Sequence, residues 1–244
     1  MHNDAGNATG DNIGGGNDTA VLEAEVHNAV EQGHNVRELV RQLILRKISA
    51  RSLDIESLRQ IASAVLSGAR AGAQKGLNQP AAQTGTACAN LKRAVAGLDA
   101  ALAQVAEASK LALEEAAGRA QTFSGEDLAR ARADMERLEA MFIEMLRSSA
   151  SGTKDVTSGA KDVTGEILYD LSAHARIYGS AVGAQLKETL AVIARELGAV
   201  GRTQVGAGLH LAQATSAVLR QITTGMPSGF ADHIKPGHPQ GRED

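Results

Sequence analysis

Apolar residues recur with helical periods over most of this chain from Leu91 onwards. The first series, Leu91, Val95, Leu98, Leu102 and Val105, alternates in steps of four and three and then fades into alanine and serine. This spacing is the heptad pattern of a helix that packs along a single seam. Because the seam is narrow and rich in alanine, it predicts a long helix whose neighbours approach closely.

A second heptad pattern leads into a duplicated segment, "SGTKDVTSGAKDVTGE", at residues 151–166. Two rows of residues seven apart precede it: Leu128, Met135 and Phe142, and Ala131, Leu138 and Met145. The rows extend in register to Val156 and Val163, and to Gly152 and Gly159. Each glycine costs about 1 kcal/mol relative to alanine in a helix. The register favours a continuing helix with both glycines packed against a neighbour over a kink or loop.

Past Val163 the spacing changes from seven to eleven residues. The strict heptad would require Asp170, and a step of four takes its place. Eleven residues in three turns is about 3.67 per turn, close to a straight helix. Thr189 is the one polar member of the series that contains Ile167 and Tyr178. The apolar residues form a predicted interaction stripe: Ile167, Leu171, Tyr178, Val182, Leu186, Ile193, Leu197 and Val200.

The composition fits helices and does not fit a sheet. Alanine accounts for 44 residues, whereas the chain has no Trp, two Tyr and three Phe. A β or α/β domain of this length would show short runs rich in β-branched and aromatic residues between turn signals. We therefore expect an all-α fold, an elongated helical bundle or a hairpin of long amphipathic helices with disordered tails.

The positions of the helices follow from periodicity and breakers. The predicted helices are 19–32, 36–49, 55–77, 84–121 and 125–224, with interruptions of the last, if anywhere, at 149–165 or 198–208. These divide the chain into a disordered tail (1–18), a short-helix region (19–77), a long-helix, coiled-coil-like region (78–225) and a second disordered tail (226–244). We expect a dimer, since an Ala-rich chain with such long stripes is short of apolar surface to bury alone.

Three helix starts carry capping signals. Asp54 is placed as the N-cap of the helix that follows it. Asn35 with Glu38, and Ser124 with Asp127, have the spacing between the N-cap and the third helical residue. The pattern predicts that each of the three side chains accepts a hydrogen bond from the first turn of its own helix.

Two groups of polar residues have a spacing that occurs in functional sites. Glu31 and His34, with His27 nearby, have the Glu-x-x-His spacing of di-metal bundles, but the chain holds no second copy of it. Asp170 and His174 are four apart, but no nucleophile shares their face. Solvated Glu–His pairs and a polar helix flank are the favoured interpretations. We therefore predict no catalytic, cofactor-binding or metal-binding residue, no cofactor and no enzymatic activity.

Charge and the termini limit the partners and the compartment. The net charge of −3 and the scarcity of aromatic residues argue against nucleic acid. Basic residues concentrate in 37–75 and acidic ones in 99–144, so either these segments pair or the basic one binds an anionic partner. The chain shows no secretory signal and no stretch apolar enough to span a bilayer, and Cys88 is alone. These features predict a cytoplasmic protein.

The long Ala-rich helices, the 11-residue apolar repeat and the polar tails resemble the surface-coating helical proteins. Bacterial phasins of polyester storage granules and the exchangeable apolipoproteins are the best-known types. The resemblance covers residues 84–224 and concerns composition and period. It implies a non-enzymatic protein that associates with itself or coats an apolar granule or lipid surface. The alternative is a soluble scaffold or regulator that binds a protein partner through its basic N-terminal helices.

Overall fold

The structure, a computed structural model, describes residues 13–50, 54–77, 81–119, 123–151, 162–200 and 210–224. These residues form eight α-helices: α1 (Ile13–Gln32), α2 (Val36–Ser49), α3 (Ile55–Leu77), α4 (Ala81–Gly118), α5 (Gly125–Ser151), α6 (Val163–Tyr178), α7 (Ala181–Val200) and α8 (Leu211–Thr224). Within the described ranges there is no β-sheet. The all-α prediction is confirmed.

The first four helices lie close to their predicted positions. α2 and α3 have the predicted bounds, and α4 is shifted by about one turn towards the N-terminus. α1 begins at Ile13, so residues 13–18, predicted as part of the first tail, belong to a helix. The remainder of both predicted tails lies outside the described residues.

The predicted long helix over 125–224 is wrong as a single element, because the chain forms α5, α6, α7 and α8 there. The break between α6 and α7 falls at Gly179, which the periodicity did not indicate. Gly179 has φ 85° and ψ 171°, a backbone conformation open to glycine. Its N–H still closes α6 by donating to the Ala175 carbonyl at 2.9 Å. An apolar period of eleven residues therefore continues across a change of helix direction.

The duplicated segment is described only at its ends. Residues 149–151 belong to the last turn of α5, and 163–165 to the first turn of α6. The centre of the repeat, with Gly152 and Gly159, lies outside the described residues, so their packing stays a prediction. The predicted interruption at 198–208 includes the last residues of α7, after which description resumes at His210.

One hydrophobic core runs through the bundle, with α4 at its centre. α4 packs against α2, α3, α7 and α8. Its heptad residues Leu91, Leu98, Leu102 and Val105 are almost completely buried. The core contains residues from all eight helices. Packing of elements from both ends of the chain around α4 makes a single bundle.

Small residues bring α1 and α3 to backbone contact. A β-carbon added at Gly68 would lie 2.3 Å from the Glu23 carbonyl oxygen, and one at Gly72 would lie 2.5 Å from that of His27. Neither distance is possible between real atoms. The two glycines, four residues apart, are therefore required by the closeness of the helices.

Two of the three predicted caps are confirmed. Asp54 accepts a hydrogen bond from the Ser57 amide at 2.8 Å, and Ser124 accepts one from the Asp127 amide at 3.1 Å. The predicted cap at Asn35 is wrong. It adopts a left-handed conformation, with φ 49° and ψ 35°, and makes no side-chain cap. The short turn from α1 into α2 requires this conformation, which asparagine tolerates better than most residues.

Other helix starts are capped by side chains from distant helices. Asp99 on α4 accepts hydrogen bonds from the amides of Ala181 and Val182, at 2.8 and 3.0 Å. Asp127 on α5 accepts one from the amide of Leu211 at 2.6 Å. The first turns of α7 and α8 have amides without helical partners, and a carboxylate also suits the positive end of a helix dipole. These contacts position α7 and α8 on α4 and α5.

Candidate interaction surface and pocket

The predicted interaction stripe faces the inside of the bundle over most of its length. Six of its eight residues pack into or against the core: Ile167, Leu171, Val182, Leu186, Ile193 and Leu197. Tyr178 is exposed, and Val200 is the last residue of α7. The polar member of the series, Thr189, is fully buried and donates to the Ala106 carbonyl at 2.9 Å. In this fold the stripe mainly holds α6 and α7 to the bundle.

The opposite half of α6 presents an exposed apolar surface. Tyr169, Ile177 and Tyr178 are 58%, 73% and 75% exposed, more than the other large apolar residues of the described part. Both tyrosines of the chain lie here. The His174 ring packs on that of Tyr178 with centroids 4.6 Å apart. We call Tyr169, Ile177 and Tyr178, with the exposed residues between them, the α6 outer face.

The α6 outer face also carries charges of both signs. Glu166, Asp170 and Arg176 are exposed on the same helix. No hydrogen bond or ion pair joins these three side chains to another residue of the described part. A surface with tyrosine rings, an isoleucine and mixed charge is typical of protein–protein interfaces.

Only Tyr178 of this surface was part of the predicted stripe. Tyr169 and Ile177 lie off the 11-residue series, and the periodicity gave no reason to select them. A large apolar residue on the polar side of an amphipathic helix is the signal that would have found them.

The Glu-x-x-His constellation is an exposed set of ion pairs. His27 Nε2 lies 3.4 Å from Glu31 Oε2, one helical turn away. Lys75 on α3 also pairs with Glu31, and its hydrogen bond and charge hold the pKa of Glu31 below its usual range. Among the described residues no group of three or more His, Cys, Asp or Glu side chains is placed to hold a metal ion. The contact between His27 and Glu31 is therefore the solvated Glu–His pair that the sequence favoured.

Most of the described basic residues of segment 37–75 form ion pairs, but with carboxylates outside the acidic segment 99–144. Six of its seven described basic residues lie within 4 Å of a carboxylate: Arg41 with Glu38, Arg46 with Glu25, Lys47 with Asp18, Arg59 with Glu56, Arg70 with Asp162 and Lys75 with Glu31. None of these acids belongs to 99–144. The segment therefore offers little unpaired positive charge to an anionic partner.

A pocket of about 300 Å³ lies between the starts of α3 and α8 and the first half of α5. Its floor consists of buried apolar residues: Leu58, Met135, Leu138 and Leu211. Charged residues, exposed or half-buried, stand at its mouth: Asp54, Asp127, Arg130, Asp134 and His210. The mouth therefore carries more negative than positive charge, above an apolar floor.

Asp134 differs from the other two carboxylates at the mouth. Asp54 accepts hydrogen bonds from Ser57, and Asp127 accepts one from Leu211. No residue in the described part donates a hydrogen bond to Asp134 or lies within ion-pair distance of it. Burial raises the pKa of Asp134, and the charges of Arg137 and Arg130 only partly oppose this. A carboxylate that is half-buried without a donor is a receptive position for a cation.

Comparison with known proteins identifies a family and no function. The sequence profile of a family of unknown function, DUF6781, matches residues 12–236. No curated protein and no solved structure matches the chain significantly. Among the described helices none combines the length and the apolar character needed to cross a membrane.

Proposed function

The chain belongs to the DUF6781 family, whose function is unknown, and we propose that it is a non-enzymatic helical interaction protein of the cytoplasm that binds a second copy of itself through the α6 outer face. One observation carries the proposal. The three most exposed large apolar residues of the described part, Tyr169, Ile177 and Tyr178, all lie on the exposed half of α6. Exposed apolar residues that cluster in this way mark interaction sites more often than scattered ones do.

The exposed apolar residues of the α6 outer face favour a second copy as the partner. A two-fold axis perpendicular to α6 near Ala173 would run two copies of the helix antiparallel and bring Tyr169 to the level of the partner's Ile177. A two-fold interface contains each such contact twice, because the same surface is used on both subunits. Each copy would thus cover the exposed apolar side chains of the other.

Coating of an apolar granule or lipid surface, the other association that the sequence resemblance implies, has less support. The stripe that would lie on such a surface is packed in the core. Turning Val182, Leu186 and Ile193 outwards would cost about 1.5–3 kcal/mol for each side chain. A granule or lipid surface bound to the α6 outer face would remove water from the Asp170 carboxylate without supplying a hydrogen-bond donor in its place.

Binding of a protein partner through the basic N-terminal helices also has less support. Most of the described basic residues there already pair with carboxylates of α1, of their own helices or of Asp162. Arg37 is the described member for which no ion pair is found. An acidic partner would have to compete with the existing pairs, so the α6 outer face is the better candidate.

Sedimentation equilibrium tests the proposal. We expect a dimer at tens of micromolar for the wild type, and a dissociation constant raised at least about tenfold by Ile177→Asp at the centre of the interface. Leu111→Asp is the matched control, since Leu111 is also an exposed apolar helical residue, 40% exposed on α4. It should leave the dimer intact.

A second position makes the test specific for the antiparallel pairing. Tyr169→Asp should also weaken the dimer, because Tyr169 lies at the level of the partner's Ile177. The double variant Tyr169→Asp/Ile177→Asp should lose less than the sum of the two single effects, since the two positions share one contact. A monomeric wild type, or single variants that associate as it does, would contradict the proposal. Flotation of the monomeric chain with neutral phosphatidylcholine vesicles or polyester granules would support coating in its place.

A further inference from the structure

The pocket between α3, α5 and α8 has no part in the proposed self-association. Its floor of Leu58, Met135, Leu138 and Leu211 is apolar, and its volume of about 300 Å³ is at the lower end of the range for small-molecule sites. Burial of an alkyl chain there would be favourable by roughly 0.8 kcal/mol for each methylene group removed from water. The floor is therefore suited to the apolar part of a small ligand.

The mouth of the pocket selects the charge of that ligand. Asp54, Asp127 and Asp134 stand there against one arginine and His210. Asp54 and Asp127 are already engaged in capping α3 and α8. Asp134 lines the same space without a hydrogen-bond donor in the described part of the chain. An anion would be repelled here, whereas a cation could donate a charge-assisted hydrogen bond to Asp134.

We propose that this pocket binds a small organic cation, an alkylammonium whose chain lies on the apolar floor and whose ammonium group donates to the carboxylate of Asp134. The described residues include no group of three or more ligands placed for a metal ion. The long apolar floor below a single available carboxylate also fits an amphiphilic amine better than a hydrated inorganic cation.

Titration calorimetry with n-hexylamine, hexan-1-ol and hexanoate tests the charge selection. The three probes have the same six-carbon chain and differ in the head group. At about pH 8, above the usual range of carboxyl pKa values, the amine is cationic and Asp134 is ionised. We expect saturable binding of n-hexylamine with a Kd on the order of 1 mM, as for other small ligands, and binding of the other two at least about tenfold weaker.

Two pocket variants and one control locate the binding. Asp134→Asn keeps the shape of the side chain and removes its charge, and should weaken n-hexylamine binding at least about tenfold. Glu107→Gln makes the matching change on the exposed side of α4, away from the pocket, and should leave the Kd unchanged. Ala131→Leu adds a larger side chain to the lining of the pocket and should abolish binding.

The two variants also separate failure of the site from failure of the fold. If Ala131→Leu does not fold, Asp134→Asn still tests the proposal, because asparagine has nearly the same shape as aspartate. Equal affinity for n-hexylamine and hexan-1-ol would overturn the proposal, since the pocket would then select only an apolar chain. An unchanged n-hexylamine Kd in Asp134→Asn would overturn it as well. Neither result depends on the oligomeric state.

Discussion

At the scale of single residues, two carboxylates show opposite effects of their surroundings. Hydrogen bonds from Arg41 hold the pKa of Glu38 below its usual range, and burial of the carboxylate opposes this only in part. Burial raises the pKa of Asp134. The Glu38 interaction therefore stabilises the fold at neutral pH and is lost as the pH falls through the lowered pKa. For Asp134 the sign is reversed: the ionised form costs stability, and protonation removes that cost.

Asp134→Asn should accordingly make the folded protein more stable at neutral pH. We expect a gain of less than about 1 kcal/mol, because solvent screens a half-exposed charge. The gain should shrink as the pH falls through the raised pKa of Asp134, where the wild type binds a proton. Urea unfolding of both proteins at a series of pH values measures it. A variant that is less stable than the wild type at neutral pH would show that the carboxylate has a stabilising partner.

At the scale of helices, the starts of α7 and α8 depend on side chains from other elements. Asp99 lies 82 positions before the amide of Ala181, and Asp127 lies 84 before that of Leu211. These caps satisfy first-turn amides and also fix where each helix begins on the bundle. The caps of α3 and α5 come from the residue just before the helix, and α7 has such a cap besides Asp99, because the Gly183 amide donates to Ser180 Oγ at 3.0 Å.

Asp99→Ala should remove the distant cap of α7. We expect a loss of about 0.5–2 kcal/mol in the free energy of unfolding, the range for N-cap substitutions. Glu107→Ala is the matched control on α4, because Glu107 is exposed and caps no helix in the described part. Its effect should stay within about 0.5 kcal/mol. Equal effects of the two substitutions in urea unfolding would show that the Asp99 contact adds nothing.

At the scale of the whole molecule, the predicted short-helix and long-helix regions share one core. α2 and α3 pack on α4, and α3 also packs on α5. Arg70 on α3 reaches across to the last turn of α5, where it donates to the Ser149 carbonyl at 2.6 Å, and pairs with Asp162 before α6. The two regions therefore depend on each other's apolar surface.

We expect the two regions to unfold in a single cooperative transition. Tyrosine fluorescence reports on α6 alone, since both tyrosines lie there and the chain has no tryptophan. A tryptophan introduced by Leu39→Trp on α2, at a partly exposed position, reports on the N-terminal helices. The two probes should give the same melting temperature, as a two-state transition requires. An N-terminal transition well separated from that of α6 would contradict the shared core.

Of the candidate sites, the sequence indicated only a part. Tyr178 was selected by its place in the 11-residue series, although it turned out to be the exposed exception in a buried stripe. The pocket could not be predicted, because Leu58, Asp134 and Leu211 are far apart in sequence and meet only when α3, α5 and α8 pack. Their spacing along the chain carries no periodic signal.

The sequence by itself determined what depends on residues within one or two turns. Helical content follows from alanine and apolar periodicity, and the caps at Asp54 and Ser124 from contacts over three positions. Tertiary structure decided which side of each helix faces inwards and where the last hundred residues bend. At Gly179 α6 ends, and a carboxylate from α4 accepts hydrogen bonds from the first amides of α7. Periodicity is the same for one long helix and for two that pack on a common core, and only the packing distinguishes them.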